Sequence, residues 1–172
     1  QSLAEAHEAG LLHRDIKPAN LFVCRIADEV DVLKVLDFGI VHAMNEGTPT
    51  DVRTLPLPSP DTPPARPSVR LSGPKLTSAG AMVGTPGYIP PEQAYGEPID
   101  ARADLYALGC VAWWLLTGNE VFPRTDDDAA IRSHAEEPVP DLRERVGGWL
   151  PAGLEQLVVA CLAKDPKQRP HD

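Results

Sequence analysis

Eight of the 19 prolines in this 172-residue chain fall between Pro49 and Pro74. Proline fixes φ and removes a backbone donor, so neither a helix interior nor a central strand can run through such a stretch. Residues 47–78 also carry few large apolar side chains to offset the entropy of ordering them. They are expected to form a disordered or polyproline-like insertion. The stretch is +2, with Arg53, Arg66, Arg70 and Lys75 against Asp51 and Asp61, which leaves −11 on the remainder of a chain whose net charge is −9. That acidity argues against a nucleic-acid partner, because a phosphate-backbone binder needs clustered Lys and Arg.

Hydrophobic residues make up 42% of the chain, enough to bury a core in one domain. Cys24, Cys110 and Cys161 have neither disulfide-framework nor zinc-ligand spacing and read as small buried side chains. The longest apolar run, Leu105 to Leu116, is shorter than the roughly 20 residues a bilayer span needs, so no membrane segment is expected here. The opening Gln1-Ser2-Leu3 lacks an initiator Met and enters mid-pattern, which predicts an internal fragment and, by default, a cytoplasmic setting.

Leu3, Ala6 and His7 share a helical face before the stop signal Gly10, so the first residues read as the end of a helix. Leu21 to Cys24 and Val32 to Leu36 read as two strands of a hairpin. Asp100 can cap a helix over about 101–117 that is apolar nearly all round and therefore central, with Gly118 ending it. Residues 126–135 predict a short exposed helix with an acidic, solvated start at Asp126 to Asp128. Leu154, Leu157, Val158, Cys161 and Leu162 predict an amphipathic helix after Pro151. His7 is expected as a packed helix residue and Trp113 and Trp114 as helix contacts. His134 and His171 are isolated and receive no role.

The chemistry-bearing residues cluster at the hairpin. Asp15, Lys17 and Asn20 fall within six residues, stiffened by Pro18, immediately before the first strand. Asp37-Phe38-Gly39 follows the second. Singly, Asn20 reads as a cap and Asp37 as a turn residue. Together, a hairpin brings their oxygens to one end, and hard oxygen ligands of that kind suit Mg²⁺ carrying substrate phosphates. A nearby carboxylate that is not a ligand can accept a hydroxyl proton.

The run HRDIKPAN (His13 to Asn20), followed 17 residues after its Asn by Asp37-Phe38-Gly39, resembles the catalytic loop and metal-binding motif of eukaryotic-type protein kinases. Gly84-Thr85-Pro86-Gly87-Tyr88 through Glu92, Asp104-Leu105-Tyr106-Ala107-Leu108-Gly109, and Arg169-Pro170 resemble three further motifs of that family in the right order. The wording is most similar to bacterial serine/threonine members. The resemblance implies an α+β protein kinase-like fold: residues 1–172 as a mainly helical C-terminal lobe with a small β-hairpin, the N-terminal lobe absent, and residues 47–78 inserted in the activation segment.

By the same resemblance Asp15 is the catalytic base, Lys17 neutralises charge on the transferred phosphoryl, and Thr85 helps fix the acceptor. Asn20 and Asp37 hold Mg²⁺ on ATP, and Phe22 lies under the adenine. Pro86 to Tyr88 shape the wall beside the substrate. His13 and Phe38 stack in an apolar spine, with Gly39 completing their motif. Asp104 accepts backbone N–H bonds from the catalytic loop, Glu92 pairs with Arg169, and Arg14 pairs with a phosphate on the activation segment. Thr77 and Ser78 are the candidate phosphosites.

The implied reaction is ATP-dependent phosphoryl transfer to Ser or Thr hydroxyls of protein substrates. The glycine-rich loop, strand lysine and its glutamate partner are missing from these residues, so the fragment alone is expected to be inactive. The Pro-rich insertion is a candidate docking site for a Pro-binding module, or neutral. In bacterial relatives the full-length protein can include a membrane span and sensor domain. A pseudokinase acting as a binding module, or a small-molecule phosphotransferase, are the alternatives.

Overall fold

The computed structural model describes residues 2–26, 29–36, 42–43 and 84–171. Asp37, Phe38, Gly39, Thr77, Ser78 and all of the expected insertion, residues 47–78, lie outside the described residues.

The chain opens with α1 (Ser2–Glu8), and Gly10 turns out of it at φ 78°, a left-handed conformation that glycine adopts without a Cβ clash. The short strand β1 (Leu11–Leu12) pairs antiparallel with β4 (His42–Ala43). No periodicity in two-residue strands could have announced that pairing. Strands β2 (Leu21–Ile26) and β3 (Glu29–Val35) form the expected hairpin, with Leu21 opposite Val35 and Cys24 opposite Val32. The ladder continues one step further, since the Leu36 amide donates to the Asn20 carbonyl at 2.8 Å.

Downstream the fold is helical: α2 (Pro91–Ala94), α3 (Ala101–Thr117), α4 (Asp127–Glu136), α5 (Leu142–Val146) and α6 (Ala152–Cys161). Helix α3 begins where Asp100 accepts from the Arg102 amide and ends at Gly118, whose φ of 71° closes the last turn. Asp126 and Asp141 cap α4 and α5 in the same way. Among the described residues no helix is long and apolar enough to cross a membrane.

Helix α3 organises the core. Tyr106, Cys110 and Trp113 pack with Val121, Phe122, Leu142, Leu150, Val158 and Leu162. Ile16, Ala107 and Val111 form a second cluster beneath the hairpin, and Ile89 and Ala94 a third with Ile131 and Ala135 of α4. Gly109 permits the approach of α6: a Cβ built there would lie 2.8 Å from the Cβ of Cys161. All three cysteines are free; Cys110 and Cys161 are buried and Cys24 half-buried.

Three expectations need correction. Helix α3 is not apolar-buried all round: its inward face runs through Ala103, Asp104, Tyr106, Ala107, Cys110 and Trp113, while Leu115 is 70% exposed and Trp114 also reaches the surface. Apolar residues on every side of a helix cannot by composition reveal which side is covered. Helix α4 is not an exposed helix: Ala130, Ile131, Ser133, His134 and Ala135 are buried against α2 and the segment before it. Finally, His134 is not a roleless side chain.

His134 is fully buried, with Nδ1 3.0 Å from the Tyr106 hydroxyl and its ring edge-on to Phe122. The Lys164 ammonium donates to the His134 carbonyl at 2.7 Å and lies over the Phe122 ring. Burial first, and the Lys164 charge second, push the His134 imidazole down to about 4, with the Gly87 backbone pulling the other way. Between about pH 6.5 and 4 the unfolded chain therefore binds a proton that the folded chain refuses. Stability contributed by neutral His134 is present above about 6.5 and lost as the pH falls toward 4, to an extent of about 3 kcal/mol. Urea denaturation at pH 7 and pH 4.5 should show a steeper acid loss for the parent than for His134→Asn. Equal losses would place the acid sensitivity elsewhere.

Candidate active site

The loop from β1 to β2 is built around one carboxylate. Asp104, in the first turn of α3 and 1% exposed, accepts from the His13 amide at 2.8 Å through Oδ2 and from the Arg14 amide at 2.8 Å through Oδ1. His7 Nε2 reaches Oδ2 at 2.9 Å. Three partners offset the cost of burying this charge. They also hold Arg14 at φ 64°, a left-handed conformation that costs a side-chain-bearing residue about 1–2 kcal/mol. The strained position turns the chain sharply, so that Asp15 leaves the loop toward the hairpin end.

Asp15 then gathers its neighbours. The Thr85 hydroxyl donates to Asp15 Oδ1 at 2.8 Å, and the Lys17 ammonium lies 2.7 Å from Oδ2. Lys17 Nζ also donates to Thr85 Oγ1 at 3.0 Å, closing a triangle across 68 residues of chain. Asn20, at the end of a short 3₁₀ turn that Pro18 starts, donates from Nδ2 to the Asp15 carbonyl at 2.9 Å and to Asp15 Oδ2 at 3.3 Å. With Nδ2 committed as donor, Oδ1 is the atom of Asn20 with lone pairs to offer a cation. The bond from Leu36 N to Asn20 O ties the end of β3 to this corner.

His13 is buried, with Nε2 2.9 Å from the Leu36 carbonyl, so it braces the hairpin against the loop. Phe22 and Val23, on opposite faces of β2, are both exposed. Arg14 is half-buried, and desolvation lowers its guanidinium pKa while the Asp104 charge raises it. Its Nε is buried without a hydrogen-bond partner among the described residues.

Below the site, Glu92 of α2 meets Arg169 near the end of the chain. The two side chains form a bidentate pair at 2.6 and 2.8 Å, both almost fully buried. Arg169 spends its remaining donors on the carbonyls of Arg102, Ala163 and Lys164 and stacks over the Tyr106 ring. The pair fixes α2 to α3, and with them the segment carrying Thr85.

Lys17, Asn20 and Thr85 are thus each brought within hydrogen-bond distance of Asp15, while His13, Arg14, Asp104, Glu92 and Arg169 support them from behind. Asp37, Phe38, Gly39, Thr77 and Ser78 lie outside the described residues. Sequence reasoning missed the His7–Asp104 bond, whose partners are 97 residues apart. No local signal could have found it, because both residues have plausible uses on their own helices. Chemically, the cluster is a carboxylate that binds an aliphatic hydroxyl beside a fixed ammonium, next to hard oxygen donors. Among the described residues no three His, Cys, Asp or Glu side chains converge as a metal-binding group. A cation here would therefore draw on the amide oxygen of Asn20 and on residues beyond those described.

Comparisons with known proteins agree with this arrangement. The chain is 38% identical over 172 residues to serine/threonine-protein kinase pkn3 of Myxococcus xanthus, covering 98% of this chain and 27% of that protein. It is 34% identical over 170 residues to serine/threonine-protein kinase PknB of Mycobacterium tuberculosis, covering 98% of this chain and 22% of that one. The chain thus spans about a quarter of the length of the curated relatives it matches. The family model described as "Protein kinase domain" matches residues 1–171. With that match running through the Asp15 cluster, the Asp104 anchor and the Glu92–Arg169 pair, the chain belongs to the protein kinase domain family.

Proposed function

We propose that these residues form the C-terminal lobe of a serine/threonine protein kinase, which in the full-length protein transfers the terminal phosphoryl of ATP to Ser or Thr hydroxyls of protein substrates. The observation that carries the reading is the contact of an aliphatic hydroxyl, that of Thr85, with Asp15 Oδ1 at 2.8 Å while Lys17 Nζ holds Oδ2 at 2.7 Å. A carboxylate that already accepts one alcohol proton bond is suited to orient a second alcohol and to take its proton. The adjacent ammonium offsets negative charge that develops on the transferred group. Both relatives described above carry the name serine/threonine-protein kinase.

On this reading Asp15 is the base, and Thr85 and Lys17 position the acceptor. Asn20, through Oδ1, and Asp37 hold Mg²⁺, and the exposed apolar face of β2 at Phe22 meets the adenine. The donor set fits: hard oxygens from an amide and a carboxylate, next to phosphate, are what Mg²⁺ prefers. Mg²⁺ with ATP supplies charge neutralisation at the phosphate oxygens. Arg14, a half-buried cation whose Nε has no hydrogen-bond partner among the described residues, suits a phosphate group on the segment between Asp37 and Thr85. Thr77 and Ser78 are the proposed acceptors of that phosphate, at the end of the proposed insertion 47–78, and His13 and Phe38 the spine that couples this lobe to the rest of the nucleotide cleft.

The test is transfer of radiolabelled phosphate from ATP and Mg²⁺ to Ser and Thr peptides by the full-length protein, with phosphopeptide mapping of the enzyme itself. Expected are labelled Ser or Thr, no labelled Tyr, and modification at Thr77 or Ser78 in active enzyme. Full-length protein that binds ATP but labels no peptide or protein would overturn the reading in favour of a signalling module without transfer.

A further inference from the structure

Glu120 follows the end of α3, in the short loop that leads to Val121 and Phe122 of the core. Its side chain does not turn outward. It lies against Gly87, so closely that a Cβ built on that glycine would sit 2.9 Å from Oε1 and 3.4 Å from Oε2. Glu120 is half-buried, and among the described residues no hydrogen bond or ion pair reaches its carboxylate. Its charge is felt next door. The Tyr88 phenol is pushed up to about 12, by burial first and by Glu120 second.

A half-desolvated carboxylate without a cation is a poor structural device. Among the described residues it loses hydration and gains no partner in return. It is, however, well placed to receive one. Gly87 is two residues beyond Thr85, whose hydroxyl is 2.8 Å from Asp15. At no more than about 3.6 Å of chain per residue, Gly87 is within about 7 Å of Thr85 along the backbone. An extended peptide whose hydroxyl rests on Asp15 therefore brings a residue one to three positions from that hydroxyl alongside Gly87 and Glu120. Gly87 is itself buried, and its lack of a side chain is what lets the Glu120 carboxylate lie against this segment. The exposed Asp126, Asp127 and Asp128 at the start of α4 follow a few residues later and add to the negative field on this side of the chain.

We propose that Glu120 is a specificity-determining residue, which selects substrate peptides carrying Lys or Arg within three residues of the phosphoacceptor. The inference deepens the proposed kinase function and rests on it for the position of the acceptor. A basic side chain there exchanges water for a partly buried carboxylate, where charge attraction is stronger than at an open surface. A Glu in the same place meets like charge at close range and is rejected.

The experiment uses the full-length protein and a series of Ser peptides in a neutral background. A single Lys, Glu or Ala is moved from three residues before the acceptor to three after. The parent should show one position at which Lys exceeds Ala by about tenfold in kcat/KM and Glu falls below Ala, a ratio equivalent to about 1.4 kcal/mol. In Glu120→Gln the Lys-to-Ala ratio at that position should fall to near one. In Glu120→Lys the order should invert, with Glu preferred. Damage that was merely structural would lower all peptides alike and leave the ratios standing. Retention of the parent's charge preference in Glu120→Gln, or no charge preference in an active parent, would overturn the inference. Fluorescence anisotropy of the same peptides separates this from the kinase reading. A Lys preference that follows Glu120 in a protein transferring no phosphate would sustain the peptide site and sink the activity. Transfer without any charge preference would do the reverse.

Discussion

Asp15→Asn in the full-length protein is expected to reduce phosphoryl transfer about 10²–10⁴-fold, the range that loss of a general base commonly costs. The substitution is close to isosteric, so the effect is chemical. An amide oxygen can still accept from the Thr85 hydroxyl, which holds Oδ1 at 2.8 Å. The amide NH₂, however, would face the Lys17 ammonium that now lies 2.7 Å from Oδ2, donor against donor. It has no basicity with which to take a proton. Lys17, freed from its partner, would also leave Thr85, so acceptor positioning suffers together with proton removal. Steady-state kcat with a Ser peptide and saturating ATP measures the effect, and circular dichroism confirms an unchanged fold. Transfer at the parental rate would remove Asp15 from the chemistry and with it the proposed mechanism.

Glu92→Ala is expected to destabilise the domain by about 3–5 kcal/mol, because it leaves the Arg169 guanidinium buried without its counter-ion. Arg169 has no route to water: its side chain is inaccessible, and its other donors are fixed on backbone carbonyls of α3 and of the segment after α6. Arg169→Lys should lose much of the same stability, since a point ammonium cannot reproduce two parallel bonds to a carboxylate. The double replacement Glu92→Leu with Arg169→Met should cost clearly less than the two single losses combined, as a buried pair removed whole leaves no orphaned charge. Urea or guanidinium denaturation of the three variants gives the comparison. A loss below about 1 kcal/mol for Glu92→Ala, the range of exposed pairs, would show that the end of the chain contributes little to holding α2. Because α2 follows directly on the segment bearing Thr85, activity should fall along with stability.

Much of this was legible before any coordinates. The bounds of α3 followed from a capping Asp100, an apolar stretch and a stopping Gly118, all of which act on the nearest turn of backbone. The β2–β3 hairpin followed from two apolar runs separated by polar residues. The catalytic-loop motif could be read because its members are contiguous, and so could its likeness to a family. The buried side of α3 could not be read, since Leu115 and Tyr106 are both apolar and only one of them is covered. Nor could the burial of α4, whose acidic start suggested a solvated helix while Ile131 and His134 were turned into the core.

The site divides along the same line. Sequence by itself determined which chemical groups are present, their order, and the local turns that aim them: Pro18 starting the turn that ends at Asn20, and Asp104 within the first turn of α3. Those features depend on torsions and hydrogen bonds spanning a few residues. Tertiary packing alone decided that Thr85 meets Asp15 across 70 residues, that His7 joins Asp104 across 97, and that Glu120 lies against Gly87. Contacts between distant segments depend on how whole helices pack, and a short stretch of residues does not carry that information.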